Sequence, residues 1–273
     1  MSSATATAPA VNAAATTRPR ESRAALYASL GLLALLLVAW QILPTALAVP
    51  KYIIPTLSDC LVEFGRMWTS ESLLANTAST ALYTILGFAI GSALGAALGY
   101  LLGMSEFWEK VLSPYILALQ IAPKVAFAPL FIMWFGYNAM PKLLVTVLIV
   151  FFPVLVNVLQ AMRTVDRDLV NLARAYNLSR FQIFLKVEMP STLPNLMAGL
   201  RIASTLAVIG VTVGELVGGN TGLGFLISYG GGQANAAMVF NAIILLTVIG
   251  FLLYSALVRA ETRLLHYLPK AQF

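Results

Sequence analysis

The sequence predicts an all-α, polytopic membrane protein with about six spans, and three observations carry that prediction. The 273 residues are 59% hydrophobic and 10% charged, whereas a soluble domain carries about 25% charged residues to cover itself. Apolar runs long enough to cross a bilayer, about 20 residues each, recur along the whole chain. The cations, finally, are segregated between alternate connections, as orientation in a membrane requires. The formal charge of +6 is explained by that segregation and calls for no nucleic acid.

The runs place spans at about Ala24–Leu43, Thr77–Leu102, Val111–Phe135, Leu143–Met162, Leu196–Val217 and Ala236–Val258. Residues 1–23, rich in Ala, Ser, Thr and Pro, read as a disordered cytoplasmic tail. The first run is longer than a signal-peptide core and reads as an uncleaved span. The membrane domain then occupies 24–265, and 266–273 form a second cytoplasmic tail. Between the first two spans, KYIIPTLSDCLVEFGRMWTSES reads as an amphipathic piece at the outer interface. Its Cys60, the single cysteine, reads as a small buried residue. With one histidine as well, His266, a Cys- or His-based metal centre is not expected, and no other cofactor is indicated.

Charge sets the orientation. With both termini inside, the cytoplasmic parts hold Arg18, Arg20, Arg23, Lys110, Arg163, Arg167, Arg174, Arg180, Lys186, Arg259, Arg263 and Lys270. The external parts hold Lys51, Arg66 and Lys142. The asymmetry predicts N-in, C-in and puts the segment from Arg163 to Pro194 in the cytoplasm.

Two spans have unusual composition. The second contains Gly87, Gly91, Gly95, Gly99 and Gly103 at four-residue spacing, a stripe without side chains on which another helix can approach closely. Helix packing is the expectation for Gly87, Gly91, Gly95 and Gly99. The third span carries Pro114, Pro123 and Pro129, and proline removes a backbone donor and kinks a helix. Non-helical backbone at membrane depth is tolerated only where protein or a water-filled cavity covers it. Pro123 and Pro129 therefore mark a candidate wall of a translocation path. Lys124 between them is ionisable at a depth where charge is costly, and Glu215 is the acid inside the fifth span. Lys124 and Glu215 either pair across the path, or Lys124 meets an anionic solute, or Lys124 snorkels to an interface.

The polar segment from Arg163 to Pro194 holds five of the chain's 17 Lys and Arg. Asp166 and Asp168 suit a helix start, and Leu169, Leu172, Ala173 and Tyr176 recur at helical spacing. Asn177 tolerates the left-handed conformation that ends a helix. Ser179 caps a second helix, which Pro190 and Pro194 are expected to stop. The product is helix, turn, helix with an apolar face to spare, suited to helix-in-groove docking.

Here the chain resembles the permease subunits of ABC importers. Their pattern in this segment is Glu-Ala-Ala, three residues, Gly, nine residues, an aliphatic, one residue, Leu-Pro. On this sequence the glycine position is Asn177, the aliphatic is Val187, and Leu-Pro is Met189-Pro190. Asn171 stands for the acid and Leu172 for the first alanine. IAPKVAFAPLFIMWFGYNAMPK and GELVGGNTGLGFLIS also look like the permeases for nitrate, sulfonates and taurine.

The resemblance implies a type I importer in a bacterial inner membrane. Two six-span subunits, alike or different, would form the path, two separate ATPase subunits would dock beneath, and an external binding protein would deliver solute. It implies docking through Leu172, Ala173, Arg174, Ala175, Tyr176, Asn177, Leu178 and Pro190. The solute would be a sulfonate, nitrate, taurine or a heterocyclic vitamin precursor. The sequence contains no G-x-x-x-x-G-K-[ST] phosphate loop, so the chain itself is not expected to hydrolyse ATP. An ion-coupled secondary transporter is the alternative, although such proteins break helices in matching halves and only the third span here is visibly broken.

Overall fold

The computed structural model describes residues 23–70 and 73–266. The tail expected over 1–23 lies outside them but for Arg23, and so does that beyond His266. The chain divides at Val49 into two units. The first contributes one described helix, α1 (Arg23–Ala46), 24 residues and strongly apolar. The second holds α2 (Leu57–Ser70), α3 (Leu73–Gly103), α4 (Glu106–Ile121), a 3₁₀ turn (Lys124–Phe127) and α5 (Ala128–Phe135). It continues through α6 (Ala139–Arg163), α7 (Arg167–Ala175), α8 (Arg180–Ile183), a π-helical turn (Phe184–Glu188), α9 (Met189–Gly218), α10 (Leu223–Gly232) and α11 (Ala236–Leu264).

Among the described residues, five helices are long and apolar enough to cross a membrane. A sixth span forms if α4 and the Lys124–Phe135 piece, bent by 79° at Ala122–Pro123, count as one. The spans come in the order read from the sequence, including the break in the third.

The centre of the second unit is α6, held between α3 and α9. The α3 glycines all face it. A Cβ at Gly91 would lie 2.8 Å from the Val147 carbonyl oxygen, and one at Gly95 2.5 Å from that of Phe151. Gly87 meets the Thr146 side chain and Gly99 that of Val158. The opposite side of α6 meets a second row of small residues, on α9. There a Cβ at Gly210 would sit 2.7 Å from the Thr146 Cα, and one at Gly199 2.9 Å from the Asn157 Cβ. Close approach of this kind lets van der Waals packing hold helices where lipid removes the hydrophobic drive. Val150, Val154 and Val158 then interlock with Ala203 and Ala207, all of them fully buried.

A second cluster joins α2 to the far end of the bundle. Met67 and Leu73 pack with Leu223, Leu226, Met238, Ala242 and Leu246. Asn241 Nδ2 donates to the Cys60 carbonyl at 2.9 Å, and Cys60 is buried. The amphipathic piece is thus seated on α11, not simply laid on a surface.

One sequence expectation is overturned here. The helix opened by Ser179 does not stop before Pro190 and Pro194; it runs on as α8, the π turn and α9, a 39-residue stretch to Gly218. Pro190 follows the π turn directly and lies inside the continuous helix, which does without its missing N–H. The wider π turn absorbs the register change, with Met189 N–H bonding to the Phe184 carbonyl. The Val187 and Glu188 carbonyls accept from Ser191 Oγ at 2.6 Å and Thr192 Oγ1 at 2.9 Å.

Candidate functional site

Three places carry the residues singled out by sequence. The first is the segment between α6 and α9. Asp166 caps α7, accepting from Asp168 N–H at 2.8 Å. At the other end Asn177 takes φ +58°, and two bonds close the turn: Asn177 N–H to the Arg174 carbonyl at 2.8 Å and Leu178 N–H to that of Ala173 at 3.2 Å. This is the Schellman pattern, which usually places glycine where Asn177 stands. Ser179 then opens α8 with a reciprocal capping box to Gln182. Two helices therefore meet through a turn in which every residue from Tyr176 to Ser179 has a fixed hydrogen-bonding role.

The turn opens a groove of about 480 Å³ between α7 and the start of α9. Leu169, Leu172, Ala173, Tyr176 and Leu178 form one wall, and Lys186, Val187, Pro190 and Ser191 the other. Ala173 is buried at its floor, while Tyr176 is 75% and Leu172 55% exposed. Five of the eight docking candidates, Leu172, Ala173, Tyr176, Leu178 and Pro190, share this groove. Asn177 makes the turn and Ala175 is exposed. Arg174 turns to the other side of α7, into a polar cleft with Glu106, Glu109, Arg163, Arg167, Asn171 and Glu188. There Arg163 pairs with Glu109, and Arg167 with Glu106 at 3.7 Å, tying the start of α4 to the end of α6 and to α7. Sequence reading placed Pro190 of the second wall among the docking residues but missed Lys186 and Ser191 as groove residues.

The second place is the break in the third span. Ala122 and Pro123 leave helical geometry, and Lys124 folds back so that its Nζ donates to the Gln120 carbonyl at 2.5 Å. The ammonium also lies 4.8 Å from the Phe152 ring centroid. Lys124 thus caps the carbonyl end of α4, where a cation complements the helix dipole. Pro129 enters the first turn of α5, where its ring is tolerated. No residue of α4 or of the 3₁₀ turn is buried within the described residues, so this broken backbone faces outward from the bundle.

The third place corrects two expectations. Lys142, assigned by charge counting to an external connection, lies in the first turn of α6 with its side chain 5% exposed. It pairs with Glu215 of α9 at 3.2 Å. Glu215 does not pair with Lys124, and its side chain is 0% exposed. Thr80 Oγ1 donates to it at 2.9 Å, and Gly224 N–H, at the start of α10, donates at 2.9 Å. Thr80 accepts from Leu223 N–H at 2.8 Å, and Asn76 from Gly222 N–H at 2.7 Å. Lys142 further donates to Ser79 Oγ at 3.0 Å and stands 4.5 Å from the Tyr83 ring. Gly222, at φ +112°, leaves no room for a Cβ beside the Glu215 carboxylate. One buried ion pair therefore fastens α3, α6, α9 and the turn into α10 together. Its polar groups are satisfied, as a buried pair requires.

At the same end of the bundle, Asp59 accepts from Lys51 at 2.7 Å and from Thr56 Oγ1 at 2.7 Å. These bonds, that of Lys51 first, hold its carboxyl below the usual aspartate value. Glu63 reaches Asn235, the cap of α11, whose Nδ2 donates at 2.6 Å.

The fold is that of an all-helical protein with five or six candidate membrane spans, and comparison with known proteins makes the class definite. The family model described as binding-protein-dependent transport system inner membrane component matches residues 91–266. A riboflavin transport system permease protein, RibX, of Chloroflexus aurantiacus is 42% identical over 81% of this chain and 83% of its own length. A formylaminopyrimidine transport permease protein, ThiX, of Halalkalibacterium halodurans is 36% identical over 86% and 94%. Among solved structures, a chain of the inward-facing MetNI methionine ABC transporter superposes with a TM-score of 0.61, covering 73% of this chain and 98% of its own, at 20% identity. The chain belongs to the binding-protein-dependent transport permeases, the ABC importer family that its sequence resembles.

Proposed function

We propose that this chain is the membrane-spanning subunit of an ATP-driven importer of a small solute in a bacterial inner membrane. In this reading the Arg163–Pro194 side faces the cytoplasm and both termini lie there. A separate ATPase docks on α7, its turn and the groove beside it. A second permease subunit, the same or a relative, covers the outward-facing break at Ala122–Pro123, since backbone there needs protein or a water-filled path at membrane depth. Pro123, Lys124 and Pro129 then border the path, while Glu215 contributes by fixing the bundle that frames it. An extracytoplasmic binding protein delivers the solute. Relatives named for riboflavin and formylaminopyrimidine support a small solute, heterocycles included; sulfonates, taurine and nitrate belong to the same proposal.

The observation that carries the reading is the groove. A buried Ala173 ringed by exposed Leu172 and Tyr176, on a turn held by capping bonds, is a rigid surface with apolar area left uncovered. Docking there transmits force, because a rigid turn moves with its partner. Switching a population from 1:99 to 99:1 takes about 5.5 kcal/mol of differential binding, which a loose contact does not deliver.

Ala173→Asp tests it. A carboxylate on the groove floor should abolish nucleotide-driven uptake in proteoliposomes while the chain still inserts and purifies. Undiminished uptake by this variant would remove the docking assignment.

A further inference from the structure

Lys124 is a cation without a counter-ion. Lys142 of α6 has Glu215 at 3.2 Å, and Arg201 of α9 has Glu261 at 3.5 Å. Among the described residues no carboxylate comes within ion-pair distance of Lys124. Its Nζ donates to the Gln120 carbonyl and, at 3.4 Å, to that of Ala122. An ammonium has three donors, and among the described residues the third finds no acceptor. Beside it lies the ring of Phe152, which is buried. Helix α4 precedes Lys124 and α5 follows it, so the charge sits in the interior of the broken span. The side chain turns back on α4 instead of reaching for either end. Ile121 and Val125, on either side of it, are apolar and exposed. Ionisable groups so placed pair with one another or with carbonyls, or mark the path of a solute or ion. Lys124 has no acid, and its carbonyl contacts leave one donor over.

We propose that Lys124 is a contact for an anionic solute at the break in the third span: a sulfonate, carboxylate or inorganic oxyanion accepts from the free N–H of its ammonium as it passes. This rests on the reading that the break borders the path, and it adds the charge of what passes. Two features favour an anion over a neutral ring. An unneutralised cation on a wall of low dielectric raises the local concentration of anions. The Phe152 ring, which a heterocycle could stack on, already has the ammonium beside it at 4.8 Å. The two carbonyls hold the ammonium in place, so the anion gains one charge-assisted bond. Such a contact draws the solute in and still lets it leave, as passage through a pore requires. A phospholipid phosphate offers the same oxyanion chemistry and is the competing occupant.

The test reads charge at the break directly. Val125→Cys is placed in a Cys60→Ala background of the full chain, reconstituted in proteoliposomes with the subunits that copurify with it. Size-exclusion profiles establish that each variant is folded. The neutral reagent hydroxyethyl methanethiosulfonate should label Val125→Cys. The anionic sulfonatoethyl reagent should outpace the cationic trimethylammonioethyl one, each rate scaled to that with a free thiol in solution. Lys124→Gln should lower this ratio about tenfold or more, the effect of a unit charge a few ångströms away in a medium drier than water. Lys124→Arg should keep the ratio, which a merely structural cap on α4 would not explain. Added methanesulfonate should slow the labelling where the cation is present and not in Lys124→Gln. A ratio unmoved by Lys124→Gln, with neutral labelling intact, overturns the anion contact and leaves the break in the path. No labelling by the neutral reagent removes the break from the path and the proposal with it. A ratio that methanesulfonate leaves alone, and that changes when phosphatidylglycerol is replaced by phosphatidylcholine, gives the ammonium to a lipid phosphate and also overturns it.

Discussion

Lys142 and Glu215, 73 residues apart in sequence, form an ion pair at 3.2 Å in which both side chains are sealed from solvent. Removing one partner from such a pair leaves an uncompensated charge and costs about 3–5 kcal/mol, whereas replacing both by apolar groups is often close to neutral. Lys142→Met or Glu215→Leu alone should therefore lower thermal stability in detergent sharply. The double variant should recover part of the loss, since the Gly224 N–H and the Thr80 hydroxyl that Glu215 accepts from stay without it. A double variant as unstable as the sum of the singles would mean that the pair does not act as a unit.

The glycine stripe of α3 makes a prediction about contact distance. Because a Cβ at Gly95 would meet the Phe151 carbonyl oxygen at 2.5 Å, even Gly95→Ala should destabilise, by about 1–3 kcal/mol as overpacking does. Gly65 of α2 has nothing within 4 Å of the same position. Gly65→Ala should be neutral or stabilising, by up to about 1 kcal/mol from helix propensity. Denaturation in mixed micelles measures both.

Asn177 holds φ +58°, which glycine adopts freely and a β-branched residue does not. Asn177→Gly should leave stability and transport nearly unchanged. Asn177→Val should cost about 1–2 kcal/mol of local strain and reduce nucleotide-driven uptake more than it reduces the amount of folded chain. Equal losses of uptake and folded protein would reduce the turn to a structural element.

The Lys51 ammonium and the Thr56 hydroxyl keep the Asp59 carboxyl below its ordinary value. A carboxyl whose folded value is depressed contributes stability above its unfolded value, and loses that contribution as pH falls through the folded one. Acidification below the usual aspartate range should loosen the Lys51–Asp59 connection, and Asp59→Asn should flatten that limb of the stability profile. A melting curve whose acid limb is unchanged in the variant would refute the assignment.

These relationships were unequally legible in the sequence. The α3 stripe was readable because four-residue spacing maps directly onto one helix face, and Asn177 and Ser179 because caps and turns are local chemistry. The matching row on α9, Gly199, Ala203, Ala207, Gly210 and Gly214, keeps helical spacing but mixes alanines with glycines, so no glycine repeat marks it. Lys142 immediately precedes the apolar run that starts at Leu143, so charge counting reads it as a loop residue; only the fold brings Glu215 to it. The continuation of the second cytoplasmic helix into α9 was hidden by Pro190 and Pro194, which signal a helix end unless a π turn shifts the register before them.

The central claim, that this permease works as half of a membrane pathway driven by docked ATPases, is tested most directly by native mass spectrometry of the complex released gently from its own membrane. The account predicts two permease subunits with two nucleotide-binding subunits, and loss of the latter on Ala173→Asp. A chain that leaves the membrane alone and supports uptake on an ion gradient without nucleotide would contradict it.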